Sequence, residues 1–359
     1  MPRVVIAAGG TAGHVVPALA VADALRDKGA QVEFVGGERA EAQLVPAAGY
    51  PFHPLTVLGM DRRDPLRAAR AVALAARAAV RARAVLTRVG ADVVVGGGGY
   101  VAGPVGLAAR SLGLPLALTE ADSHLGVTNR LLAPLAARVF LAFPLEARTG
   151  SKYQVLGRPV PAGTTRADPA KARERFSIPA GEQCLLIFGG SLGARRLNEA
   201  ALDAFGDVSP CAVLHVSGWR DHPQLAARLA ERGNPRHYHL LPYVEPFADA
   251  LAAATLVAAR AGGSVLEVAA ARLPAILVPG PWATGDHQTA NARYMADAGA
   301  AVVVADEQLD GPRLAREVAA LLEAPHRLEE MASAAQAVAK PDAAQRIASE
   351  VLSLVGRLG

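Results

Sequence analysis

Arg3-Val4-Val5-Ile6-Ala7-Ala8-Gly9-Gly10-Thr11-Ala12-Gly13-His14 joins an apolar run to two glycines, a hydroxyl residue, a third glycine and a helix-forming stretch. A short continuous apolar run is what a strand covered on both faces requires. The helix that follows begins with unpaired N–H groups at the positive end of its dipole, which favours a phosphate by ~0.3–2 kcal/mol. Glycines let the backbone come close to such a ligand, and Thr11 adds a hydroxyl. Gln183-Cys184-Leu185-Leu186-Ile187-Phe188-Gly189-Gly190-Ser191-Leu192-Gly193 repeats the device half a chain later. Neither loop reads G-x-G-x-x-G, and neither ends in the Gly-Lys-Ser/Thr of a P-loop. A tight strand-to-helix turn would explain one loop. Two at matching positions point to two similar α/β domains, each doubly wound and Rossmann-like, facing a cleft.

Outward from these loops, apolar runs alternate with Ala-rich helical stretches. Strands are expected at Arg3–Ala8, Gln31–Val35, Asp92–Val95, Pro115–Leu118 and Arg138–Ala142. A second set is expected at Gln183–Phe188, Cys211–Val216, His237–Leu241, Thr255–Ala259, Pro274–Val278 and Ala300–Val304. This alternation predicts parallel sheets covered by helices. Gly157–Asp168 is rich in Pro, Gly and Thr and reads as a linker. The expected division is therefore 1–157 and 158–341, with a C-terminal helix over 342–359 that can pack back on the first domain.

A chain of 359 residues is long enough for two cores, and 52% apolar residues exclude a disordered chain. Aromatics are only 4%, so Ala, Val and Leu must build those cores. A net charge of +4 gives no sign of nucleic acid as a partner. Cys184 and Cys211 cannot form a disulfide framework and have no CxxC partner, so a reducing compartment and no zinc are expected. The N-terminal apolar run is too short for a signal peptide, and no run reaches the ~18–20 residues of a membrane span.

Four further stretches carry candidate chemistry. Val95-Gly96-Gly97-Gly98-Gly99-Tyr100 leaves bare backbone at a strand's carboxyl end, where open α/β sheets bind ligands, and Tyr100 can face an acceptor. Thr119-Glu120-Ala121-Asp122-Ser123-His124 clusters polar groups at another such end; Asp122 is a candidate general base or hydroxyl acceptor, or, more simply, a helix cap. In Arg260-Ala261-Gly262-Gly263-Ser264-Val265-Leu266-Glu267, Glu267 can accept both hydroxyls of a ribose or merely complement a helix dipole. In Asp286-His287-Gln288-Thr289-Ala290-Asn291, Gln288 and Asn291 share a helix face and can bond sugar hydroxyls.

Taken together, these motifs resemble the MurG family of N-acetylglucosaminyltransferases, which complete the lipid-linked peptidoglycan precursor. The matching pieces are Gly9 to His14, Gly98 to Pro104, Gly189 to Arg195, Arg260 to Gly262 with Glu267, and Asp286 to Gln288 with Asn291-Ala292. The resemblance implies a GT-B fold, with the acceptor in the first domain and UDP-N-acetylglucosamine mainly in the second. It implies donor contacts from Thr11, Ala12, Gly13 and Ser191, and a backbone contact from Val244 to the uracil. Gly262, Gly263, Ser264 and Glu267 would cradle the diphosphate and ribose, and Gln288 would hold the sugar. His14 and Tyr100 would lie near the acceptor, with Glu120 and Asn129 among the substrate-binding residues. The chain departs from the family at Thr119-Glu120-Ala121-Asp122, where His-Glu-Gln-Asn is usual, although Gly126 and Asn129 match. It departs again at Gly157-Arg158-Pro159-Val160-Pro161, where Gly-Asn-Pro-Val-Arg is usual; Arg158 is the candidate to substitute for the lost arginine.

The implied reaction is an inverting transfer to the 4-hydroxyl of a lipid-linked muramoyl-pentapeptide through an oxocarbenium-like transition state. With no Asp-x-Asp in the sequence, neither metal nor other cofactor is expected. His14 and Asp122 are the candidate bases, His14 preferred because its neutral form dominates near neutral pH. A lipid acceptor implies a peripheral protein on the cytoplasmic face of the membrane. Arg63, Arg67, Arg70, Arg77, Arg81 and Arg88 recur at helical spacing, as a stripe for anionic head groups or as an ordinary solvated face. Alternative readings are a GT-B enzyme acting on another lipid or natural product, a nicotinamide oxidoreductase using Glu38 for the ribose, and a non-catalytic sugar-nucleotide sensor.

Overall fold

The computed structural model describes residues 1–57, 65–145, 148–190, 193–281 and 286–356, with side chains in the first long helix described from residue 73 onward. Two compact units emerge: Met1–Pro161 together with Lys340–Gly359, and Ala162–Ala339. The change of unit thus falls four residues beyond the expected Gly157.

In the first unit, the strands are β1 (Arg3–Ala7), β2 (Gln31–Gly36), β3 (Phe52–Pro54), β4 (Val93–Gly96), β5 (Leu116–Glu120), β6 (Arg138–Leu141) and β7 (Tyr153–Val155). They form one parallel sheet in the order β3-β2-β1-β4-β5-β6-β7. The helices are α1 (Ala12–Asp27), α2 (Ala40–Ala47), α3 (Pro65–Val89), α4 (Ala102–Ser111) and α5 (Val127–Leu132), and the chain returns at its end as α14 (Ala343–Leu352).

Alternation along β1 divides its side chains between two cores. Val4 and Ile6 join a cluster with Val21 and Leu25 of α1 and Ile347 and Val351 of α14. Val5 and Ala7 join the opposite cluster with Leu86 of α3 and Val105 of α4. Both faces are covered, which is why the strand reads as an unbroken apolar run.

In the second unit, β8 (Cys184–Phe188), β9 (Ala212–Val216), β10 (Tyr238–Leu241), β11 (Leu256–Arg260), β12 (Ala275–Val278) and β13 (Ala301–Val303) form a parallel sheet in the order β10-β9-β8-β11-β12-β13. Its helices are α6 (Pro169–Arg175), α7 (Arg195–Phe205), α8 (His222–Glu231), α9 (Phe247–Ala253), α10 (Val265–Ala270), α11 (His287–Asp297), α12 (Gly311–Leu322) and α13 (Pro325–Val338). Apart from the extra edge strand β7, the two strand orders are the same. In each sheet the first strand of its unit is flanked by the second and the fourth, so the order reverses there. Loops leaving the carboxyl ends on either side of that point form the crevice where such sheets take ligands. The first glycine loop follows β1 and the Gly96–Gly99 run follows β4; Gly189–Gly190 follows β8 and Ala261–Ser264 follows β11.

All eleven expected strands are present, with ends shifted by one or two residues. The two not expected, β3 and β7, are three residues long, half-buried or exposed, and at opposite edges of one sheet. An edge strand has one neighbour and needs no long apolar run, so its sequence carries little signal.

Candidate active site

In the first unit, two glycine loops are packed backbone to backbone. Gly99 has φ +75°, and a Cβ there would lie 2.1 Å from the Gly9 carbonyl oxygen. A Cβ on Gly98 (φ +93°) would lie 2.6 Å from His14 Cδ2. Only glycine fits such an approach at positive φ. His14 therefore sits in the first turn of α1 with the second loop against its ring, and Thr11 Oγ1 lies 3.3 Å from its Nδ1. Burial pushes the proton affinity of His14 down; Asp122 pulls it up, Arg158 pushes it down and Glu41 pulls it up. The imidazole is thus disposed to be neutral at neutral pH, as a general base must be.

The floor of the first loop is a residue that sequence reasoning missed. Glu41, 1% exposed, accepts Gly10 N–H at 2.9 Å on one carboxylate oxygen and Gly37 N–H at 2.9 Å on the other. At the start of α2 its sequence position signals only a complement to the helix dipole.

The Glu120 carboxylate, expected to bind substrate, accepts three hydrogen bonds from its own segment. It accepts Gly126 N–H at 2.8 Å, Asn129 Nδ2 at 3.0 Å and Asp122 N–H at 3.3 Å. Burial raises its pKa against the opposing pull of the Gly126 and Asn129 hydrogen bonds. Asn129, 3% exposed, also donates to Thr119 O at 2.9 Å. Both residues thus shape the 119–129 segment from within.

Arg158, expected to substitute for a substrate-facing arginine, reaches two backbone carbonyls of its own unit. It is 5% exposed, and its guanidinium donates to Gly13 O at 2.9 Å and Ala121 O at 3.4 Å. Asp122 is half-buried and close enough to act on His14. Tyr100 is half-buried, with the Arg39 guanidinium 5.4 Å from its ring centroid. Thr11 and Gly13 are exposed and Ala12 half-buried.

In the second unit, Ser191 lies outside the described residues. Gly190 has φ +90° and Gly193 φ +79°, and Gly193 N–H donates to Gly190 O at 2.9 Å. Gly262, Gly263 and Ser264 are half-buried ahead of α10, where Glu267 lies in the first turn. A Cβ on Gly262 would meet nothing within 4 Å, so this backbone borders open space. Asn291, expected to bond a sugar hydroxyl, is fully buried and donates to Ala261 O at 3.0 Å, which supports this loop. Gln288 accepts Gly280 N–H at 2.7 Å. The Val244 side chain is buried, leaving its backbone as the group it can offer. Beside it, the exposed rings of Tyr243 and Trp219 stack at 6.4 Å and 22°.

Comparison with known proteins bears on this geometry. Residues 4–141 match the glycosyltransferase family 28 N-terminal domain and 184–347 the family 28 C-terminal domain. A protein of Acidithiobacillus ferrooxidans named UDP-N-acetylglucosamine--N-acetylmuramyl-(pentapeptide) pyrophosphoryl-undecaprenol N-acetylglucosamine transferase is 44% identical over 358 residues, 98% of either chain.

The chain belongs to the MurG family.

A further MurG relative with the same full name, from Methylococcus capsulatus, is 41% identical over 361 residues and 99% of both chains. The crystal structure of Acinetobacter baumannii MurG matches with a TM-score of 0.77 and 32% identity, covering 98% of this chain and 100% of that one. A UDP-GlcNAc 2-epimerase from Neisseria meningitidis, 15% identical with a TM-score of 0.72, covers 98% of this chain and 100% of its own and shares the fold alone. As a MurG family member, the chain is a glycosyltransferase of GT-B fold. That sets aside the nicotinamide oxidoreductase; Glu38, its expected ribose ligand, is simply exposed.

Proposed function

We propose that this glycosyltransferase moves N-acetylglucosamine from UDP-N-acetylglucosamine to the 4-hydroxyl of an undecaprenyl-diphospho-N-acetylmuramoyl-pentapeptide, with inversion, as a step of peptidoglycan synthesis. The observation that carries the chemistry is the setting of His14: flanked by two glycine loops and held toward its neutral form. In this reading the first unit takes the acceptor and His14 removes the proton of its hydroxyl as the bond to the sugar forms. The second unit holds the donor. Backbone N–H groups of the 189–193 and 262–264 loops stabilise the negative charge that grows on the departing UDP. Glu267 receives the ribose, Val244 the uracil and Gln288 the sugar.

A lipid-linked acceptor also calls for a docking face. No helix among the described residues is long and apolar enough to cross a membrane. On the first unit, α3, α4 and α5 pack side by side, and Val80, Leu107 and Leu131 on them are 72%, 53% and 68% exposed. Arg77, Arg81 and Arg88 of the expected stripe are exposed as well, while Arg63 and the side chains of Arg67 and Arg70 lie outside the described residues. Exposed apolar side chains and arginines on neighbouring helices suit the surface of an anionic bilayer.

The deciding experiment measures UDP release from UDP-N-acetylglucosamine with and without the muramoyl lipid, and with a diacylglycerol in its place. Release that requires the muramoyl lipid is expected. Release with the diacylglycerol alone would favour the other-acceptor reading, and binding without release would make the chain a sensor. With saturating substrates His14→Ala is expected to lose at least about 100-fold in kcat; full turnover would remove His14 from the role. Sedimentation with vesicles is expected to rise with anionic lipid and fall with salt.

A further inference from the structure

Arg158 stands between the two polypeptide segments that carry the candidate bases. Its planar fork reaches Gly13 O at 2.9 Å through Nη2 and Ala121 O at 3.4 Å through Nη1. Gly13 immediately precedes His14, and Ala121 immediately precedes Asp122. One guanidinium therefore ties the start of α1 to the loop after β5, a bidentate geometry that lysine cannot reproduce. At 5% exposure Arg158 is a buried cation, and the two carbonyl oxygens it reaches help to offset the cost of burying it.

The other groups around the ring are fixed. Glu41 of α2 is the second acid acting on His14, and both its oxygens are engaged by Gly10 and Gly37 N–H groups. Thr11 Oγ1 faces Nδ1 from within the same turn, and the loop after β4 presents Gly98 to the ring, with Tyr100 as its titratable residue. That leaves Asp122 and Arg158 as opposite charges on two different segments, both within reach of the imidazole.

We propose that Arg158 and Asp122 form an opposed pair of positioning charges about His14, with Arg158 joining the two segments that carry His14 and Asp122. Arg158 joins the two loops through their carbonyls and opposes a proton on the ring; Asp122 favours one. Removing either charge alone unbalances the site, and removing both restores the balance. The consequence for catalysis rests on His14 being the base; the effect on the imidazole does not.

The test follows the His14 Cε1 resonance of the full-length protein through a pH titration, assigned by its loss in His14→Gln. Asp122→Asn is expected to lower the His14 midpoint by about one pH unit and Arg158→Gln to raise it by about as much. The double variant should return close to the wild-type midpoint. Arg158→Lys keeps the charge without the fork, so its midpoint should stay near wild type while kcat falls through loosened loops. The pair is overturned if Arg158→Gln, shown folded by its thermal melt, leaves the midpoint unmoved or lowers it, or if Arg158→Lys titrates like Arg158→Gln. The pH profile of kcat/KM then separates the two ideas. Profiles that track the resonance support both. A resonance that responds while the profile stays put supports the pair and removes His14 as the base.

Discussion

The two carboxylate oxygens of Glu41 hold Gly10 and Gly37, and through them the path of the chain into α1. A glutamine there keeps one acceptor and turns an NH2 group toward the other backbone N–H, leaving two buried donors facing each other. Glu41→Gln is therefore expected to cost about 1–3 kcal/mol in urea unfolding and to lower kcat/KM by displacing His14. Unchanged stability would mean that water or a shifted backbone satisfies the loop. Residues of this kind are poorly legible in sequence. The family resemblance points to Glu120 and Asn129 as substrate ligands, and to Arg158 as the substitute for a lost arginine. The structure gives each a set of partners within its own unit, and those partners come from segments whose proximity only the folded chain creates.

At the scale of elements, β9, β10 and α7 share a buried polar chain. Asn198 donates through Nδ2 to Ser217 O at 2.9 Å and Asp221 Oδ2 at 3.0 Å, so its Oδ1 must accept from His215 Nε2 at 3.0 Å. His215 Nδ1 then accepts from the Tyr238 hydroxyl at 2.8 Å, which fixes the tautomer. The polar chain also packs against the loop after β8: a Cβ on Gly193 would lie 2.4 Å from Ser217 O. Burial pushes His215 down to about 3, from an unfolded value of 6.5. Between those values the unfolded chain binds the extra proton, so stability is full above pH 6.5 and declines as pH falls toward 3, by an amount on the order of 4–5 kcal/mol. His215→Gln can keep both hydrogen bonds without titrating. Its urea midpoint is expected to change less between pH 7 and pH 4 than that of wild type; equal slopes would assign the acid sensitivity elsewhere.

At the scale of the molecule, the chain crosses back at its end to complete the first unit. Ile347 and Val351 of α14 are fully buried in the cluster that covers Val4 and Ile6 of β1. Ile347→Ala is expected to destabilise the first unit by about 2–5 kcal/mol. Hydrogen exchange should quicken at β1 and α1 while β8 amides in the second unit keep their protection. Equal loss in both would show that the two units unfold as one.

The alternation of unbroken apolar runs with Ala-rich stretches determined two parallel, helix-covered sheets, because strands buried on both faces leave no room for polar side chains. The repeated strand–Gly-Gly–hydroxyl–Gly–helix pattern marked the turn that follows the first strand of each sheet, at the point where the strand order reverses. Sequence likewise singled out His14 and Asp122, separated by more than a hundred positions. Only the tertiary structure decided that Arg158 reaches the segments that carry both and that Glu41 underlies the first loop. Charges and hydrogen bonds act through space over a few ångströms, and which residues come within that range is set by the packing of the sheet. Gly9 to His14 was readable as a loop for an anion. What holds it in shape, and what sets the charge on its histidine, came from the rest of the first unit.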